Sequence, residues 1–405
     1  MTKATLLWCW LAFAALLLLA PWVFSSGLGL SVLSQIGIAM IACLSYNLLY
    51  GQGGMLSFGH AVYSGAGAYM AIHVLNQVSA GGMFFIPVSV LPLVGGLAGL
   101  LLAALLGWFS TRHSGMPFAM ISLGVAELAF AAVLMFPEVF GGEAGISGNR
   151  VVGQPVAGVD FSSGWQLYHL IAAYTWLAAL ALYVFTRTPL GLLLGAVRDN
   201  AQRVSFMGYS AHRIRYTAFV IAGFFAGVAG GLSALLFEIV TAEVLGTARS
   251  GAYLIFTVVG GSGHFVGPMV GAVLMVCSAV LLSSWTRAWL LYLGLLFLLV
   301  VIFSKGGVVG AVVNGVKRCR QPGVWADLMS QPRRWLAWLG GLLGLVALVV
   351  LIEMIYHLQW GAVVGSRLVF LGLPLDVQQV WHWVASLLLL AVGAGLWTWA
   401  RERRP

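Results

Sequence analysis

The sequence predicts an all-α fold, a polytopic integral membrane helical bundle with about ten core spans and two extra C-terminal spans. Three observations predict it. Of 405 residues, 61% are apolar and only 8% are charged, against roughly 25% charge in a soluble domain. The mean hydropathy of +0.99 implies more apolar surface than one water-exposed globule can bury. Apolar runs of spanning length recur along the chain, without the strand-type alternation of a membrane barrel. The same composition excludes a soluble enzyme, a disordered chain and a disulfide scaffold.

The first candidate span, 5–24, follows Met1-Thr2-Lys3. A signal peptide cleaved near Ser25-Ser26 is the alternative, but the run exceeds an ordinary h-region and another apolar segment follows at once. It is expected to remain as a span. Further spans are expected at 28–50, 57–76, 83–110, 116–137, 166–186, 216–240, 251–262, 266–284, 288–304, 335–357 and 378–400. Segment 251–262 is too short to cross comfortably. With the N-terminus inside and every segment crossing, only Arg150, Arg249, Arg287 and Arg367 of the 20 Lys and Arg residues fall outside. This positive-inside asymmetry places both termini in the cytoplasm and favours a crossing by 251–262. The net charge of +9 is thus a topology signal, and no nucleic-acid partner is expected.

The inner segments 187–215 and 305–334 are too short for a nucleotide-hydrolysing domain. A phosphate-binding loop needs a lysine preceded by glycine, and Lys3, Lys305 and Lys317 do not provide one. No cofactor is expected on this chain, and any ATP that drives it belongs to a partner. Cys9, Cys43, Cys277 and Cys319 lie singly, without metal-ligand spacing.

An inner helix is expected over 188–208. Thr188-Pro189 is a capped start and Gly208 a stop. Leu190, Leu193, Leu194, Val197, Ala201 and Val204 form one apolar stripe, with Arg198, Asp199, Asn200, Gln202 and Arg203 beside it. Such a helix either lies on the membrane surface or inserts into a groove of a cytosolic motor. Periodicity alone favours the first.

Within the spans, Asn47, Ser57, His60 and Tyr63 cluster around a glycine-rich segment. Gly54, Gly59 and Gly67, with Gly261 and Gly267 later, suit either tight helix packing or a substrate path. Asn47 and Ser57 suit interhelical hydrogen bonds or that same path. His60 is a structural histidine or a proton relay. Glu127 and Glu238 are charges inside predicted spans. Glu238, with Glu243 and Arg249 nearby, forms either an outer ion network or part of a docking surface.

The run from Asn47 to His60, NLLYGQGGMLSFGH, continues to Gly65-Ala66-Gly67-Ala68-Tyr69. It resembles the signature of the branched-chain amino acid ABC importer permeases. Gly141–Ile146, Thr188–Gly208 and Gly260–Gly263 with Gly267-Pro268 and Gly271-Ala272 resemble that family in the same order. The likeness covers roughly 30–315 and is nearest the M-type subunit. It implies an importer with a second, H-type permease, two cytosolic ATP-binding subunits carrying ATP and Mg, and a periplasmic solute-binding protein, in a bacterial inner membrane. It also implies that 188–208 is the helix coupling permease to ATPase, with Arg198, Asp199, Asn200, Arg203 and Gly208 as its residues. Asp199 and Gln202 depart from positions that are often glutamate, which weakens the acidic contact. The alternative function is a secondary transporter driven by an ion gradient through Glu127, Glu238 or His60.

On this reading the chain divides into an N-terminal span (1–29), the permease core (30–315), a basic cytoplasmic linker (316–334) and a two-helix membrane extension (335–405). Trp335, Trp338, Trp360, Trp381, Trp383, Trp397 and Trp399 form aromatic belts around the extension, which is expected to serve in anchoring or subunit packing.

Overall fold

The computed structural model describes residues 3–79, 86–151, 161–286, 288–304, 306–319, 332–364, 367–370, 373–376 and 379–402. The start of the 83–110 span, most of the 316–334 linker, and Arg287, Lys305, Arg320, Arg403 and Arg404 lie outside them.

The described chain is almost wholly helical. In order come α1 (Lys3–Val23), α2 (Gly27–Asn47) with a π turn at Leu48–Gln52, α3 (His60–Ser79), α4 (Leu91–Ser110), α5 (Met116–Met135) and α6 (Pro137–Phe140). Then follow β1 (Ile146–Ser147), α7 (Gly164–Arg187), α8 (Pro189–Asp199), α9 (Ala201–Phe206), α10 (Ala211–Phe237), β2 (Ile239–Val240), α11 (Thr247–Gly260) and α12 (Gly267–Val276). The chain continues with α13 (Ser283–Trp285), α14 (Trp289–Phe303), α15 (Gly307–Cys319), α16 (Pro332–Val364), β3 (Arg367–Phe370), β4 (Leu373–Asp376) and α17 (Val380–Glu402).

Each of the twelve expected segments contains a helix, but the helices are unequal. Among the described residues, seven are long and apolar enough to cross a membrane, or eight if Trp289–Ile302 and Gly307–Lys317 form one bent span. Helix α3 is absent from the seven because it carries His60, Tyr63, Ser64, His73 and Asn76. It packs inside the bundle against α4 and α10, where neighbouring helices replace lipid. Gly267–Leu282 and Val380–Leu396 are shorter apolar helices.

The chain forms two compact units. The first comprises Met1–Cys277 and Leu299–Gly310, the second Ser278–Leu298 and Ala311–Pro405. In the first, α10 is the central helix, packed on α2, α3, α4 and α8. Helices α3, α4 and α10 approach at glycines. A Cβ on Gly67 would stand 2.6 Å from the Gly227 Cα, and one on Gly95 would stand 2.8 Å from the Gly67 carbonyl oxygen. Small-residue contacts of this kind drive helix association where lipid removes the hydrophobic incentive.

Contacts sort the connections of this unit into two ends. At one, Thr111 Oγ1 lies 3.3 Å from His212 Nδ1, and Arg198 donates to the Gly51 carbonyl. At the other, Asn76 Nδ2 donates to the Ser147 carbonyl at 2.9 Å, and β1 pairs with β2. The chain therefore traverses the unit between β2 and Gly261, whose backbone abuts Gly307 at the Arg198 end. Helix α11 has 14 residues, about 21 Å, so it cannot do this alone. The stretch 238–246, made of β2 and a 3-10 turn at Ala242–Leu245, supplies the rest, with Leu245 packed against Gly65 of α3.

In the second unit, α16 and α17 pack together, with Gly393 against Gly340 and Gly344. The two-stranded hairpin β3–β4, in register Arg367↔Asp376, lies between them in sequence and was not expected. Segment 278–298 belongs to this unit, where Thr286 and Tyr292 both donate to Glu353 of α16, Tyr292 at 2.8 Å. Trp381 is exposed; of the other belt tryptophans, the side chains of Trp335, Trp338, Trp360, Trp397 and Trp399 lie outside the described residues.

Candidate functional site

The signature segment forms a broken helix. After α2 the chain makes a π turn, reverses at Gly54 (φ +64°) and runs without helix to His60, where α3 begins. Non-helical backbone at membrane depth must be buried in protein and paired there. Met55, Ser57 and His60 meet the first condition at no more than 1% exposed, Leu56 and Phe58 are partly buried, and Gly54 at the reversal is exposed. Ser122 Oγ accepts from Phe58 N and Ser250 Oγ from Ala61 N, each at 2.9 Å. Tyr46 donates its hydroxyl to the Ser57 carbonyl at 3.1 Å. The two serine hydroxyls supply acceptors at the start of α3, whose first amide groups have no partner within the helix.

His60 sits in an aromatic box of Tyr46, Tyr63 and Tyr253. Its Nε2 lies 2.8 Å from Ser45 Oγ, and Ser45 donates its one proton to the Ala42 carbonyl. His60 must therefore be the donor in that pair, which fixes the Nε2–H tautomer and leaves Nδ1 as an acceptor. No carboxylate takes part in these contacts, so the arrangement suits a structural histidine better than a relay. Asn47 Oδ1, Ser57 Oγ and His60 Nδ1 are buried without a protein partner. Three unpaired polar atoms within one short segment are costly where they stand.

The expected glycines fill close-approach positions. A Cβ on Gly59 would stand 2.5 Å from the Ser122 carbonyl oxygen, and one on Gly267 2.7 Å from the Gly261 carbonyl carbon. Gly261 has φ +117°. Gly51 abuts the Ser262 carbonyl, so the first glycine segment and the 261–267 turn meet at one end of the unit. Gly67 lies further along α3 against Gly227, and Tyr63 packs edge-on against Phe219 at 5.3 Å.

The two carboxylates lie elsewhere. Glu127 is exposed on α5 and accepts from Thr247 Oγ1 at 3.1 Å. Glu238 is at the opposite end, capping α10 in a left-handed conformation (φ 55°). Its partner is Arg150. Arg150 N donates to Glu238 Oε1 at 2.9 Å, and the guanidinium lies 3.8 Å from Oε2. Arg249 turns to the Tyr253 hydroxyl at 3.0 Å. Arg150 also donates to the carbonyls of Leu235 and Leu236, placing a cation at the negative end of α10. Pairing across 88 residues leaves no local sequence signal.

The expected 188–208 helix is two helices. Asn200 is extended (φ −157°, ψ 99°), ends α8 and caps α9 by accepting from Arg203 N at 3.0 Å. Asparagine competes well for that role, and the break follows. The start and stop stand as expected: Thr188 Oγ1 accepts from Gly191 N, and Gly208 (φ +88°) ends α9 with Tyr209 N bonded to the Val204 carbonyl. The apolar stripe faces protein, with Leu194, Val197 and Val204 buried in the same core as Leu182, Ile214 and Phe219. Asp199, Asn200 and Arg203 are exposed, as are Phe206 at 88% and Met207 at 68%, which the stripe analysis did not single out. Arg198 is exposed as well, but it makes an inward contact that its neighbours do not. Its guanidinium folds back onto the Gly51 carbonyl.

Fold and site together define a multi-pass membrane permease: a helical bundle with a broken, polar-lined helix inside and a short capped helix pair at one end. Residues 28–304 match the family described as the permease component of branched-chain amino acid transport systems, and the chain belongs to that family. It is 30% identical over 322 residues to the high-affinity branched-chain amino acid transport system permease protein LivM of Escherichia coli, covering 73% of each chain. It is 24% identical over 294 residues to a probable branched-chain amino acid transport permease protein LivH of Methanocaldococcus jannaschii, covering 69% of this chain and 91% of that one. No solved structure matches the chain significantly.

Proposed function

We propose that this chain is one permease subunit of an ATP-binding-cassette importer for branched-chain amino acids or a related small polar solute. A second, H-type permease completes the pathway. Two cytosolic ATP-binding subunits, which hold ATP and Mg, dock at the α8–α9 end, and a periplasmic binding protein delivers solute at the other. The chain lies in a bacterial inner membrane with both termini cytoplasmic. Closure of the ATP-binding subunits moves α8–α9, and that movement switches the permease pair between inward-facing and outward-facing states.

The observation that carries this reading is the α8–α9 pair. Its apolar stripe is satisfied by the bundle, so its exposed Arg203, Phe206 and Met207 need another partner. The family match and the names of the relatives support the substrate class. The contacts of Glu238 with Arg150 and of His60 with Ser45 give those two groups structural roles, which supports the importer reading over an ion-gradient one. Affinity purification from the native membrane tests the reading. Recovery of a second permease and two ATP-binding subunits is the expected result. Recovery of the chain alone, with uptake that collapses under a protonophore at constant ATP, would contradict it.

A further inference from the structure

The polar residues of the α8–α9 pair are exposed, but Arg198, whose side chain is 44% exposed, also reaches inward. Arg198, at the end of α8, is split between two partners. Its Nε lies 3.2 Å and its Nη2 3.1 Å from Asp199 Oδ1 on the exposed side, while Nη1 donates inward to the Gly51 carbonyl. Gly51 lies in the π turn that ends α2, where backbone carbonyls lack helical partners and attract a cation. The aliphatic stem of Arg198 crosses Gly54: a Cβ there would stand 2.7 Å from Arg198 Cγ. One turn earlier on α8, buried Leu194 lies against Gly53, with Cδ1 3.3 Å from the position of a Cβ. Helix α8 is thus pinned at two points to segment 51–54. Beyond Gly54 the same backbone leads to Ser57 and His60, two of the seven described side chains with a buried polar atom that lacks a partner.

We infer that Arg198 is a positioning residue that transmits movement of α8–α9 to the broken helix at 51–59, and is not part of the surface that holds the ATP-binding subunits. This rests on the reading of α8–α9 as the ATPase-facing element. A rigid helix end tied by a charged hydrogen bond to a segment with unsatisfied polar groups is a bistable joint: displacing α8 shifts the Gly51 carbonyl and the chain behind it. Asn47, Ser57 and His60 gain partners in the other arrangement. Asp199 holds the guanidinium from the exposed side and keeps it aimed at Gly51.

The test uses the complete importer in proteoliposomes, with its ATP-binding subunits and binding protein, and isoleucine as the transported probe. Two quantities are read: the amount of ATP-binding subunit retained on purification, and isoleucine moved per ATP hydrolysed. Arg198→Gln is expected to retain the ATP-binding subunits fully while the transport-to-hydrolysis ratio falls by about tenfold, the scale of one lost charged hydrogen bond. If R198Q sheds the ATP-binding subunits in proportion to its lost uptake, Arg198 is a docking residue and the inference is overturned. An unchanged ratio also overturns it. If R198Q fails to insert, Arg198→Lys decides: it keeps a donor for Gly51 without the planar fork to Asp199, so it should lower the ratio with full retention, and a wild-type ratio counts against the inference. Arg203→Glu reports on the underlying reading separately. It should shed the ATP-binding subunits, and full retention would remove the α8–α9 assignment whatever Arg198 does.

Discussion

At the residue scale, a missing side chain and a single long one do most of the positioning. Gly67 lets α3 touch the backbone of Gly227, a contact that no side chain can replace without moving a helix. Gly67→Val should lower stability by about 1–3 kcal/mol, the cost of overpacking a tight contact, read as an earlier thermal transition in detergent. An unshifted transition would mean that α3 and α10 are not so close. Arg150 works in the opposite sense, filling the end of α10 with donors. Arg150→Ala keeps the backbone bond to Glu238 but removes the guanidinium from Glu238 Oε2 and from two helix-end carbonyls, and should cost about 1–3 kcal/mol. Sequence reading recognised the polar residues of 47–63 but not what completes them. Ser122 and Ser250 are remote in the chain, and a lone serine in an apolar run looks the same whether or not it caps a neighbour.

At the scale of elements, periodicity and caps located the helices, while their interruptions depended on competing local bonds. The stripe from Leu190 to Val204 was legible, as were Thr188-Pro189 and Gly208, because a helix start and stop are chemical as well as periodic. The break at Asn200 was not, because a mid-helix asparagine and an N-cap asparagine are the same letter. Asn200→Ala removes the side-chain acceptor for Arg203 N and should destabilise α9 by about 1 kcal/mol. Faster amide exchange confined to 201–206 would register it, and unchanged exchange would show that the cap is not needed. The 251–262 segment illustrates the same limit. Charge asymmetry favours a crossing, and the structure places there a 14-residue helix preceded by β2 and a 3-10 turn, which apolar length alone did not reveal.

At the scale of the whole molecule, composition was enough for the class, and the glycine-rich signature for the family, but the division of the chain followed polar contacts. Thr286 and Tyr292 draw 278–298 to Glu353, a carboxylate inside an apolar helix. Glu353→Leu should loosen that segment, seen as new protease cleavage within 278–298 while 27–260 stays protected; no new cleavage would mean that other contacts hold it. The central claim is that the α8–α9 end seats an ATP-binding subunit, and a photo-crosslinking residue at Phe206 in intact cells tests it most directly. The account predicts a covalent adduct with an ATP-binding subunit whose yield changes with nucleotide. Adducts with lipid alone, in a complex that still imports solute, would contradict it.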